Sequence, residues 1–174
     1  MAGNEKRKYT VNEGTYRNIG CPLSGEEINE ENLYTLVLED EKRRALQKSL
    51  NILGFADNNK RALRQKLMRA GFGREAVDFA ITECVMRGYI DEERQAERLV
   101  LKYSDELFGP HKIIDKLSAK HYPTALISKT IRSLEERGEI DFKKSKNELL
   151  EAKLGENAEY EDKMKLLYKY GYLK

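Results

Sequence analysis

The sequence predicts an all-α protein built of tandem three-helix repeats with a period of about 50 residues. Three observations carry that prediction. First, residues 60–91 recur at 110–141 without a gap. Lys66/Lys116, Leu67/Leu117, Ile81/Ile131, Arg87/Arg137, Gly88/Gly138, Ile90/Ile140 and Asp91/Asp141 are identical, while Leu63/Ile113, Phe72/Tyr122, Val77/Ile127 and Cys84/Leu134 keep apolar character. Seven identities in 32 pairs exceed the roughly two expected from composition. The same shift reaches Leu167, Gly171 and Tyr172, giving two and a half units. Second, apolar residues recur at helical spacing between glycines that fall where helices stop. Third, the 174-residue chain is 36% charged, with no Trp and three Pro, as in helical globular proteins. Units of this length bury an apolar face against their neighbours, which predicts an elongated, curved array.

The elements follow in order. Residues 1–40 are an N-terminal extension: a polar tail to Lys8, a small β-hairpin pairing Lys8–Val11 with Gly14–Tyr16, and a short helix. Asn29 is the N-cap of that helix, which turns Leu33, Leu36 and Val37 inward. The first repeat spans 41–91. Its helices run over about 41–53, with Leu46, Leu50 and Leu53 inward, 60–70, with Leu63, Leu67 and Ala70 inward, and 74–87, with Val77, Ala80, Ile81 and Cys84 inward. Gly71, Gly88 and Gly138 sit where a left-handed residue closes a helix. Asp91 and Asp141 are spaced to cap the helices that follow them. The second repeat spans 92–141, with Ala96, Leu99, Val100 and Tyr103 inward and Pro110 at a first helical position. The third, 142–174, is truncated to two helices, one stopped by Gly155, and leaves part of the Leu166–Tyr172 stretch uncovered.

Composition excludes several classes of function. Net charge is +2, too small for a general field toward nucleic acid. It is unevenly spread: residues 60–91 carry seven basic against four acidic side chains. No apolar run is long enough to span a membrane, the amino terminus lacks a signal-peptide core, and two cysteines without metal spacing fit a reducing cytoplasm. No catalytic constellation, metal-ligand cluster or phosphate loop is present, so neither an enzyme nor a cofactor is expected. His111 and His121 fall at helix ends, where solvation or capping explains them.

The candidate binding residues come from the helical wheel. With Leu63 inward, Arg61, Arg64 and Met68 point outward beside Arg69, and Arg94, Arg98 and Leu101 take the same position on a later helix. Arg and Met are enriched at interfaces, which suits a partner-binding face. A plain solvated face suits the same residues.

The run Gly-Tyr-Ile-Asp-Glu-Glu-Arg-Gln-Ala at 88–96, with Ala-Leu-Arg-Gln-Lys-Leu at 62–67, Gly71-Phe72 and Phe108-Gly109, resembles the RecX family of recombination regulators over about residues 26–174. The resemblance implies a cytoplasmic monomer, active in DNA repair and the SOS response. It implies binding to the RecA recombinase filament on single-stranded DNA, and inhibition of ATP hydrolysis, filament growth and strand exchange. Weak direct DNA binding is compatible with it. Two positions depart from the family's pattern: Glu92 stands for an Asp, and Gln95 for a Phe anchor that Tyr89 or Leu99 would replace. The family's last helix is absent. Two other readings fit the repeat: a helix-turn-helix-like DNA-binding module, opposed by the near-neutral charge, and a general protein-interaction scaffold.

Overall fold

A computed structural model describes residues 11, 13–18, 20–26, 29–154 and 158–174. Among them the chain forms nine α-helices and no strand. It divides into two compact units, Met1–Ile90 and Asp91–Lys174.

The first unit holds α1 (Glu13–Asn18), α2 (Glu30–Phe55), α3 (Lys60–Arg69) and α4 (Arg74–Met86). The expected hairpin does not form: Gly14, Thr15 and Tyr16 lie in α1, while residues 8–10 and the preceding tail lie outside the described residues. A six-residue helix has little stability of its own. Here α2 supports it, for Thr15 is buried and accepts from the Arg43 guanidinium at 3.4 Å. The second correction concerns α2. It is one helix of 26 residues, not a short helix followed by another at 41. No Gly or Pro interrupts residues 30–53, so nothing stops it. Asp40 at the expected boundary is 2% exposed and paired with Arg43 and Arg44, at 3.0 and 2.8 Å. Asn29 caps the start of α2, accepting the Glu31 N–H at 2.9 Å.

The core of this unit gathers Leu63 and Leu67 from α3, Ala76, Val77, Ala80, Ile81 and Cys84 from α4, and Ile90. Besides Asp40, the fully buried positions of α2 are Ala45 and Ser49, each one residue before the predicted stripe; Leu46, Leu50 and Leu53 are only partly buried against it. Small residues at 45 and 49 let α4 approach α2 closely. Ala70, predicted inward, is exposed at the end of α3.

The second unit holds α5 (Glu92–Asp105), α6 (Pro110–Ala119), α7 (Thr124–Glu136), α8 (Phe142–Lys153) and α9 (Tyr160–Tyr170). Ala96, Val100, Tyr103, Ile113, Leu117, Tyr122, Ile127, Ile131, Leu134 and Ile140 form its core. Gly155, the predicted stop of α8, lies outside the described residues. Gln95 is itself buried: its side-chain oxygen accepts the Tyr122 hydroxyl at 3.0 Å. No apolar substitute is therefore needed there. Tyr89 is half exposed, and Leu99 is partly buried against the core.

Helix ends follow from local chemistry. Gly71, Gly88, Gly138 and Gly171 have φ between +71° and +88°, and each amide donates back into the last helical turn. The Asp91 carboxylate accepts the Arg94 N–H, and Asp141 accepts those of Lys143 and Lys144. The end of α9 meets the start of α6: Gly109 N–H donates to Tyr170 carbonyl at 2.8 Å, and His111 N–H to Gly171 carbonyl at 3.1 Å. Helix-terminal donors and acceptors thus satisfy one another, with the two dipoles in favourable sequence. Phe108 stacks on Tyr170, and Tyr172 hydroxyl donates to Leu107 carbonyl. Burial pushes that hydroxyl up to about 12.

Candidate partner-binding faces

The two groups of predicted surface residues fall in different units. In the first, burial of Leu63 and Leu67 turns the opposite side of α3 to solvent, where Arg61, Arg64, Met68 and Arg69 are exposed. Arg64 is not a free cation: its guanidinium bonds the Asp78 carboxylate on α4, whose other oxygen lies 3.8 Å from Arg74. Arg61 and Arg69 have no ion-pair partner among the described residues. They, with Met68 at 48% exposure, are the available part of this face.

In the second unit Arg94 and Arg98 on α5 are exposed. Leu101 is not: it is half-buried and packs against the core. A wheel centred on one apolar residue assigns one inward direction, but α5 is covered by both α6 and α7. The acidic residues beside the arginines are engaged, since Glu93 accepts from Lys129 at 3.0 Å and Glu97 from Arg137. These pairs line a cleft between α5 and α7, together with Leu126, Thr130 and Ser133.

Nothing in either face is arranged for chemistry. No group of His, Cys, Asp and Glu able to hold a metal occurs among the described residues. The buried Cys84 thiol is pushed up by desolvation, which keeps it protonated and unreactive. Among the described residues, no helix is long and apolar enough to cross a membrane. Exposed apolar side chains also lie elsewhere: Phe79 and Met86 on α4 and Tyr160 on α9, which the helical wheel does not single out, and Tyr168, within the stretch expected to be left uncovered. The repeat marks two of them, for Phe79 and Met86 stand where Lys129 and Glu136 stand in the next copy.

No family model and no curated protein matches this chain. Solved structures do. A crystal structure of regulatory protein RecX aligns with a TM-score of 0.72 at 16% identity, covering 98% of this chain and 87% of the other. RecX from Lactobacillus salivarius aligns with a TM-score of 0.53 at 13% identity, covering 78% of this chain and 99% of the other. At such identities the likeness is one of fold.

Proposed function

We propose that this chain is a RecX-type regulator that binds the RecA filament on single-stranded DNA. It acts there mainly as an inhibitor of ATP hydrolysis, filament growth and strand exchange, in recombination and DNA repair. The carrying observation is that the fold follows a RecX structure over 98% of the chain. The short motifs at 62–67 and 88–96 support the same family independently. The role is binding rather than catalysis, and the contacts assigned to it are Arg61, Met68 and Arg69 on α3 with Arg94 and Arg98 on α5. Arg64 contributes less, because Asp78 already neutralises it.

The test is DNA-dependent ATP hydrolysis by the cognate RecA. The unaltered protein suppresses it, whereas Arg61→Glu with Arg69→Glu suppresses about tenfold less, because reversing the local field slows encounter and weakens binding. Both side chains are solvent-facing, so the variant melts within a few degrees of the parent. Unchanged hydrolysis at saturating unaltered protein refutes the regulatory reading. Full potency in the variant refutes this face alone.

A further inference from the structure

The second half of α9 and the residues after it carry one sign of charge. Residues 164–174 include Lys165, Lys169 and Lys174 and no acidic side chain. Tyr160, Met164 and Tyr168 recur every fourth residue and so run along one side of the helix. Tyr160 and Tyr168 are 75% and 68% exposed. Met164, Tyr168 and Leu173 line a shallow depression with Lys165 and Lys174 at its rim. The helix cannot roll to hide these rings. Its adjoining side is pinned by buried Leu167, by Tyr170 stacked on Phe108, and by Gly171 seated against Lys112. Around Phe79 and Met86 the cations lie against acidic side chains at shorter range, Lys42 at 3.3 Å from Glu75 and Arg87 at 2.6 Å from Glu83.

We infer that this face docks an acidic protein segment through one large apolar side chain. The anchor enters the depression between Met164, Tyr168 and Leu173, and carboxylates on either side of it meet Lys165 and Lys174. Lys165 now lies 3.6 and 3.9 Å from Glu161 and Asp162, in long, exposed pairs of little strength. A partner carboxylate displaces them at small cost. Tyrosine beside lysine also suits single-stranded nucleic acid. The aliphatic lining by Met164 and Leu173, and the absence of Arg from 164–174, favour a protein anchor over stacked bases.

The probe is a fluorescein-labelled 12-residue peptide rich in Asp and Glu with one central Phe, titrated against the whole chain by anisotropy. The controls are the same peptide with Ser for Phe, a Lys-rich version, and an oligothymidylate of equal length. The acidic Phe peptide binds, the Ser peptide binds about tenfold more weakly and the Lys-rich peptide does not bind, since the anchor and the charge both contribute. Tyr168→Ser with Lys165→Glu weakens binding at least about tenfold while leaving the melting temperature unchanged. No binding, equal binding by the variant, tighter binding of the oligothymidylate, or self-association that Tyr168→Ser abolishes would each overturn the inference. RecA is absent from this assay, so its outcome is separate from that of the regulatory reading.

Discussion

Gly71 in the first unit and Gly171 in the second occupy the same place in the repeat, yet they answer different demands. Both are left-handed, with φ +88° and +80°, and both close a helix with the same pair of backbone bonds. A Cβ on Gly71 would meet nothing within 4 Å, whereas on Gly171 it would sit 2.3 Å from Lys112 N. In the first unit glycine serves the handedness of the backbone only. In the second it also lets two helix ends touch. The starts of α3 and α6 show the same contrast. Asn59 caps α3 with its side chain, accepting the Ala62 N–H at 2.8 Å, while Gly109 at the matching position has no side chain and α6 takes carbonyls from α9. A repeat preserves the backbone demand; the neighbouring element decides how it is met.

The largest expected effect breaks that contrast directly. Gly171→Ala should cost about 3 kcal/mol in denaturant unfolding, from the close approach added to left-handed strain, against about 1 kcal/mol for Gly71→Ala. Equal losses would mean that the α6–α9 junction yields freely.

A second contrast pairs Phe72 and Ala45 in the first unit with Tyr122 and Gln95 in the second. The added hydroxyl and its acceptor occur together, buried, in one copy only. Tyr122→Phe should cost about 1 kcal/mol. In a cycle with Gln95→Ala the double variant should lose about 1 kcal/mol less than the sum. Strict additivity in thermal or chemical unfolding would show that the two side chains do not depend on each other.

The smallest effect concerns the middle copy of the glycine position. His121 has φ +69° and makes the same helix-closing bonds as Gly71 and Gly171. His121→Gly should therefore stabilise, by about 0.5 kcal/mol once the greater freedom of glycine in the unfolded chain is subtracted. A loss on calorimetry would mean that the imidazole contributes packing that outweighs its strained backbone.

Much of the fold was legible because it rests on local rules. Helical spacing located α3, α4, α6 and α7 and most of their buried residues, and the glycines after them mark where a left-handed residue is needed. The repeat misled at one point. Asp91 caps the start of α5, and its counterpart Glu41 is the residue from which the first helix of the first repeat is expected to run. Glu41 instead lies inside α2 and accepts the Gly73 N–H at 2.6 Å, a donor that Pro123 lacks in the second copy. That substitution removes the need for an acceptor where the repeat predicts one.

The sequence by itself determined that α3, α4, α6 and α7 are helical and where they stop, because period, caps and breakers act over a few neighbouring residues. It also placed the basic residues Arg61 and Arg69 on the open side of α3. Tertiary structure decided which of several apolar stripes is deepest, that Leu101 turns inward, that Arg64 is spent on Asp78, and that Gln95 is a buried partner. It also decided that residues 13–18 are helix, through contacts with α2. The pairings of Arg64, Gln95 and Thr15 join side chains 14, 27 and 28 residues apart, and burial or pairing at that range has no periodic trace along the chain.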